Sequence, residues 1–150
     1  VSGEIVAVWG TTKVLESAGG AIANNALLQA DDAVYDLVVD GSSFPHAEFV
    51  LTGTFAAAPT EGAVLALYAR PLDIDGTSDA EIPEATRPTV FVGTFTVNNV
   101  TTAQTMQLNG VIAYDLPKRA EYYVHNNGTG QALSAGWTLK VTPRTKKVAA

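Results

Sequence analysis

Ala63-Val-Leu-Ala-Leu-Tyr-Ala69 and Thr89-Val-Phe-Val-Gly-Thr-Phe-Thr-Val97 are two apolar runs. Between them lies Arg70-Pro-Leu-Asp-Ile-Asp-Gly-Thr-Ser-Asp-Ala-Glu-Ile-Pro-Glu-Ala-Thr-Arg-Pro88. The first run is nearly all apolar and too short for an independent helix, so it reads as a buried strand. The second is rich in β-branched and aromatic residues, which fit a pleated, half-buried surface, and reads as another. Three prolines, a glycine and five carboxylates in the connection exclude a continuous central strand or a long helix there. A connection of that length with no core of its own belongs to a functional or a disordered loop.

The same β pattern spreads outward from this pair. Upstream, Tyr35-Asp-Leu-Val-Val39 is closed by the turn residues Asp40-Gly-Ser-Ser43. In 47–55, Phe49, Leu51, Gly53 and Phe55 point one way while Glu48, Val50, Thr52 and Thr54 point the other. Downstream, Thr105-Met-Gln-Leu108 and Val111-Ile-Ala-Tyr-Asp-Leu116 flank Asn109-Gly110, a strong hairpin signal because both residues tolerate positive φ. Glu121-Tyr-Tyr-Val-His125 follows, then the turn 126–130, then Gly136-Trp-Thr-Leu-Lys-Val-Thr142. Trp137, Leu139 and Val141 share one face of that last strand, and Trp137 and Tyr68 are expected to point into the core. Roughly eight strands with regular turn signals predict an all-β fold, an antiparallel β-sandwich or jelly roll.

The beginning of the chain differs in kind. Two short β-like pieces, 4–10 and 11–15, precede a segment rich in Ala, Gly and Asn. Ile22, Ala26 and Leu27 or Leu28 would share a helix face, whereas Gly19, Gly20, Asn24 and Asn25 weaken a helix. The segment reads as an extended or short-helical N-terminal lead-in. The expected organisation is an arm over 1–32, a sandwich over 33–143 and a basic, solvated tail over 144–150.

Composition narrows the function. The chain of 150 residues suits one domain with a proper core. Only 16% of its residues are charged, which points weakly to surface covered by protein contacts. A net charge of -6 argues against nucleic acid as a partner, since phosphate recognition needs clustered Lys and Arg. No apolar run approaches the ~18 residues of a membrane span, and the first residues lack the pattern of a signal peptide. Without cysteine there is no disulfide framework and no thiolate chemistry.

Few residues suggest chemistry. Asp73, Asp75, Thr77, Asp79 and Glu84 offer alternate oxygen ligands around Gly76, a pattern suited to Ca²⁺. The spacing departs from a helix-flanked calcium loop, with Ser78 at the place of the turn glycine and Pro83 before Glu84. A solvated acidic loop with local Asx turns is the plainer reading. His46 and His125 are the only imidazoles. Ser134, His125 and Asp115 could be drawn as a triad, but no Gly-x-Ser-x-Gly elbow accompanies them, and no enzyme activity is expected. Two tryptophans and five tyrosines would suit a sugar-binding sandwich. Asn99-Val-Thr101 and Asn127-Gly-Thr129 match the glycosylation pattern and read as turns.

Three phrases carry a resemblance: Leu15-Glu-Ser-Ala-Gly-Gly-Ala-Ile-Ala-Asn-Asn-Ala26, Leu67-Tyr-Ala-Arg-Pro-Leu-Asp-Ile-Asp-Gly-Thr-Ser-Asp-Ala-Glu-Ile-Pro83 and Leu133-Ser-Ala-Gly-Trp-Thr-Leu-Lys-Val-Thr-Pro143. They resemble small virion proteins of tailed bacteriophages, over about 15–143. The resemblance carries no catalytic motif and no resident cofactor. It implies a structural role in the virion, after synthesis in the host cytoplasm, with capsid decoration (cement) first and tail or fibre attachment second. The implied partners are the major capsid protein and further copies of the chain, a homotrimer being natural at three-fold positions. Ile22, Asn24, Asn25, Leu27 and Leu28 of the lead-in, with Pro71, Ile74 and Ile82 of the loop, would form the interface. A jelly-roll carbohydrate-binding module is the alternative from another class.

Overall fold

The structure is a computed structural model that describes residues 3–42, 44–87 and 90–149. Val1, Ser2, Ser43 of the expected turn, Pro88 and Thr89 at the end of the long connection, and Ala150 lie outside the described residues. Among the described residues, nine strands make up the fold: β1 (Ile5–Trp9), β2 (Lys13–Gly19), β3 (Leu27–Asp36), β4 (His46–Gly53), β5 (Val64–Pro71), β6 (Val90–Thr96), β7 (Gln104–Ile112), β8 (Arg119–Asn127) and β9 (Trp137–Val148). The single helical piece among them is one 3-10 turn, Ala113–Asp115.

The strands form two antiparallel sheets. One runs β2-β9-β4-β7, with β1 continuing the β2 flank of β9, and the other runs β3-β8-β5-β6. Sequential strands from β2 onward therefore alternate between sheets except at β5–β6, which is the connectivity of an eight-stranded jelly roll. Hydrogen bonds gather the connections 20–26, 54–63, 97–103 and 128–136 at one end. The connections 37–45, 72–89 and 113–118 meet at the other.

Alternation along the strands builds the core. Phe49 and Leu51 of β4, with Trp137, Leu139 and Val141 of β9, face Leu65 and Leu67 of β5, Phe95 of β6, and Tyr122 and Val124 of β8. Phe49 and Tyr122 join the two sheets directly, with ring centroids 5.2 Å apart. Each large side chain buried this way contributes on the order of 1.5–3 kcal/mol. The alternation read in 47–55 and 137–141 is the one observed, and Tyr122 and Tyr123 face opposite sides as adjacent strand residues must.

The lead-in is part of the sandwich, so the expected boundary at residue 32 falls inside β3. Leu15, Ile22 and Ala30 are buried in the core, β2 pairs with β9, and β3 pairs with β8. Small residues here serve packing: a Cβ on Gly19 would lie 2.1 Å from the Trp137 ring. Residues 144–148 are not a frayed tail either, because β9 continues through them and pairs with β1, Ile5 opposite Val148.

The expected hairpin at Asn109-Gly110 is a β-bulge inside β7. Ala47 pairs with Val111 and Phe49 with Leu108, which leaves Asn109 and Gly110 together opposite Glu48. Gly110 has φ +67°, the left-handed conformation a glycine bulge requires. A two-residue hairpin turn of that kind needs positive φ at both residues, whereas here Gly110 alone adopts it, so the pair marks a left-handed glycine and not a chain reversal.

Candidate functional site

The connection after β5 is tied down by its own side chains. Asp75 Oδ1 accepts the N–H groups of Thr77 and Ser78, and its Oδ2 accepts the Ser78 hydroxyl. These bonds, that of the Ser78 N–H foremost, hold the Asp75 carboxyl down to about 2. Asp79 accepts the Asp73 N–H at 3.0 Å, while Asp73 Oδ2 receives Arg119 Nη1 at 2.7 Å. Glu84 faces Arg87 at 3.8 Å. Arg70 anchors the loop to the sheet by donating to the Ala80 carbonyl and to Glu121. Both oxygens of Asp75 and one each of Asp73, Asp79 and Glu84 are engaged by separate partners, and these carboxylates form no group of three among the described residues of the kind a Ca²⁺ shell needs.

A carboxylate cluster does form elsewhere, between β2 and β3. Glu16, Asp31 and Asp32 each bring a carboxylate oxygen within 4.8 Å of the others, the only such group of three among the described residues. Glu16 is 3% exposed, and its two oxygens accept the N–H groups of Ala18 and Asp31. Asp32 accepts the hydroxyl and N–H of Ser17, which lower its pKa. The cluster staples the β2–β3 corner. Asp31 and Asp32 are adjacent but Glu16 lies 15 residues before Asp31, on a strand of the opposite sheet, so only the folding of one sheet over the other brings the three together.

The drawn triad is not assembled. Asp115 sits in the β7–β8 connection at one end of the sandwich, and Ser134 in the β8–β9 connection at the other. His125 lies on the outer face of β8 beside Tyr68, centroids 6.3 Å apart. His46 begins β4 in the other sheet.

Of the expected interface residues, Ile22 is core, 1% exposed and bridged to Leu133. Asn24 accepts the Gly130 N–H, and Asn25, at φ +64°, donates its own N–H to the Asn126 carbonyl. Leu27 and Leu28 are half-buried in β3, Leu28 against the core, and Pro71 closes β5. Ile74 and Ile82 stand exposed on the loop, at 64% and 60%. Of the lead-in residues Ile22 is thus enclosed, while Asn24 and Asn25 are exposed and Leu27 and Leu28 half-buried, and the loop residues Ile74 and Ile82 stand at the surface. Thr129 of the second glycosylation pattern is fully buried and donates to Asn126.

What the surface does offer is two outer sheet faces. On the first, register places Trp9, Arg144, His46 and Ile112 in one row, with the Ile5–Val148 pair further along. Ile5, Trp9, Ile112 and Val148 are all exposed. Glu48 accepts from Trp9 Nε1 at 3.3 Å and Arg144 Nη1 at 2.8 Å, fixing the indole and the guanidinium. On the second face, Gln29, Tyr123, Tyr68 and Phe91 form a row across all four strands. Tyr68 stands edge-on to Phe91 there, so it points outward and not into the core as its apolar run suggested. The run misled because Ala66, also outward, is small enough to be covered by its neighbours.

No protein-family model matches the chain, and no curated protein matches it. Among solved structures it is similar to a chain in the structure of infectious bursal disease virus, Gx strain. That similarity has a TM-score of 0.39 at 13% identity, over 99% of this chain and 38% of that one. A chain in the structure of the Gt strain is similar with a TM-score of 0.29 at 18% identity, over 93% of this chain and 29% of that one. This chain therefore spans well under half the length of either.

Proposed function

We propose that the chain is a non-enzymatic structural protein of a virus particle, a decoration protein that stabilises the head through contacts with the major capsid protein. The observation that carries this reading is the outer face bearing Ile5, Trp9, Ile112 and Val148. Four large apolar side chains on one sheet face of a chain of net charge -6 mark a surface made to be covered. The aromatic and arginine content of that face suits the buried centre of a protein interface. Supporting it, Asp75 and Asp79 of the acidic loop and Glu16 and Asp32 of the β2–β3 corner are engaged in holding backbone. The resemblance to tailed-phage virion proteins agrees with the role, and a tail-associated position would use the same face.

Co-sedimentation with particles from the source genome tests the reading. The chain should travel with heads, and Trp9→Lys should abolish attachment while leaving circular dichroism unchanged. Attachment to tails alone would select the tail position, and a Trp9→Lys protein that still binds heads would remove this face from the argument. The row Gln29–Tyr123–Tyr68–Phe91 favours a second reading, carbohydrate binding by stacking on the exposed Phe91 ring. A glycan array decides it, and because the acidic loop satisfies its own oxygens, EDTA should not change the result.

A further inference from the structure

We infer that the free edge of β6 joins a second copy of this chain, pairing antiparallel with the same strand across a two-fold axis so that two four-stranded sheets become one. β6 ends the order β3-β8-β5-β6 and pairs with β5 alone among the described residues. Alternate N–H and C=O groups of such a strand point away from the sheet and accept another strand readily. Val90-Phe-Val-Gly-Thr-Phe-Thr96 carries no charge and no proline, and Phe91, 58% exposed, stands beside the edge.

The other edges are blunted. β3 has exposed Asp31 and Asp32 in mid-strand and a break in its pairing between Ala30 and Tyr35. β1 and β2 divide their flank into two short pieces, with Lys13 and Glu16 in the second. β7 is bent by the Asn109-Gly110 bulge, and β6 carries an extra residue of its own at Val92, which leaves Gly93–Thr96 as its regular stretch. Two copies of a chain with net charge -6 repel, yet along β6 no like charges would meet.

The strand is also complementary to itself. With Thr94 opposite its own symmetry mate, exposed Thr94 meets exposed Thr94, and inward Gly93 meets inward Phe95 of the partner subunit. Over Gly93–Phe95, clear of the irregularity at Val92, inner and outer faces then continue across the axis, as register demands. The adjoining groove between β6 and β7, about 500 Å³ and lined by Thr94, Thr96, Gln104, Met106 and Gln107, is uncharged and leaves room for the neighbour's flank. An antiparallel edge joined to itself closes at two copies, so the assembly is a pair and not the three-fold form expected from the role. This inference stands on the isolated chain and does not depend on a virion.

Light scattering on the purified chain tests it. The mass should be twice 15.7 kDa, and Thr94→Lys should weaken association by more than about tenfold, without change in circular dichroism. Opposed residues in such a pair have Cα atoms about 4.5–5.5 Å apart, within the span of a disulfide. The chain has no cysteine of its own, so Thr94→Cys should cross-link to a dimer on mild oxidation and Thr105→Cys, exposed on β7, should not. A monomer at every concentration, a mass other than two chains, or a dimer that survives Thr94→Lys overturns the inference. Failure of Thr94→Cys to cross-link overturns its register.

Discussion

Tyr122 shows how a residue can be central to the core and still imperfect within it. Its ring touches Phe49 and Tyr35, but its hydroxyl is buried without a hydrogen-bond partner among the described residues, and burial pushes its pKa upward. An unsatisfied buried hydroxyl costs about 1–3 kcal/mol. Tyr122→Phe should therefore keep or raise the melting temperature; a clear drop would mean the hydroxyl has a partner. Trp137 is the opposite case, fully buried with its indole N–H donated to the Gly20 carbonyl at 2.7 Å. Trp137→Ala should cost on the order of 3–5 kcal/mol in urea unfolding, and a loss below ~1 kcal/mol would place the indole at the surface. Three carboxylates set the acid limit. Asp75, Asp32 and Asp36 all sit below 3.8, held there by N–H and hydroxyl donors of the folded chain. The unfolded chain then binds more protons, so their stabilisation is complete above 3.8 and fades as pH falls towards about 2. Urea midpoints measured across that window should decline, and Asp36→Asn should flatten the decline.

At the scale of elements, the first three strands are the instructive ones. Deleting 1–31 removes β1, β2 and the start of β3, and with them Leu15, Ile22 and Ala30 from the core. The truncated chain is expected to lose its cooperative unfolding transition, read by calorimetry; a folded remainder would show that these strands are dispensable. Sequence reading expected the reverse, for a physical reason. Periodicity is measured on large apolar side chains, and this segment packs through Ala30, Gly19 and Gly20, whose value lies in what they let approach. Strands with conventional side chains, β4, β5, β6 and the first part of β9, were legible because alternation and β-branching are local. The basic end of β9 was not, because its partner β1 lies at the opposite end of the chain. The acidic cluster of Glu16, Asp31 and Asp32 was hidden for the same reason, whereas the loop carboxylates were conspicuous in sequence and turn out to serve local turns. Millimolar Ca²⁺ should accordingly leave the melting temperature unchanged, and a rise would show that the loop can rearrange to bind it.

At the scale of the molecule, a jelly roll places its polar groups in two loop clusters and leaves two broad sheet faces. Here one loop cluster is closed by the network of Asn126, Thr129, Ile22 and Gln131, all bonded internally. What remains available is flat surface and strand edge, the raw material of assembly more than of turnover. Fold class was readable from strand count and turn spacing, but the pairing order was not, since nothing local says that β2 will find β9.

That pairing order governs how the chain can be made. β9 holds β2 and β1 on one flank and β4 on the other, so the first sheet is complete only once β9 has joined, although β4 and β7 pair without it. β1 and β2, which pair with β9 alone among the described residues, must wait for it, whereas β5 and β6 can pair as soon as both are made. Folding through such distant pairings is slow for the chain's length, and losing a few residues around Trp137 would dissolve contacts made by residues more than a hundred positions away.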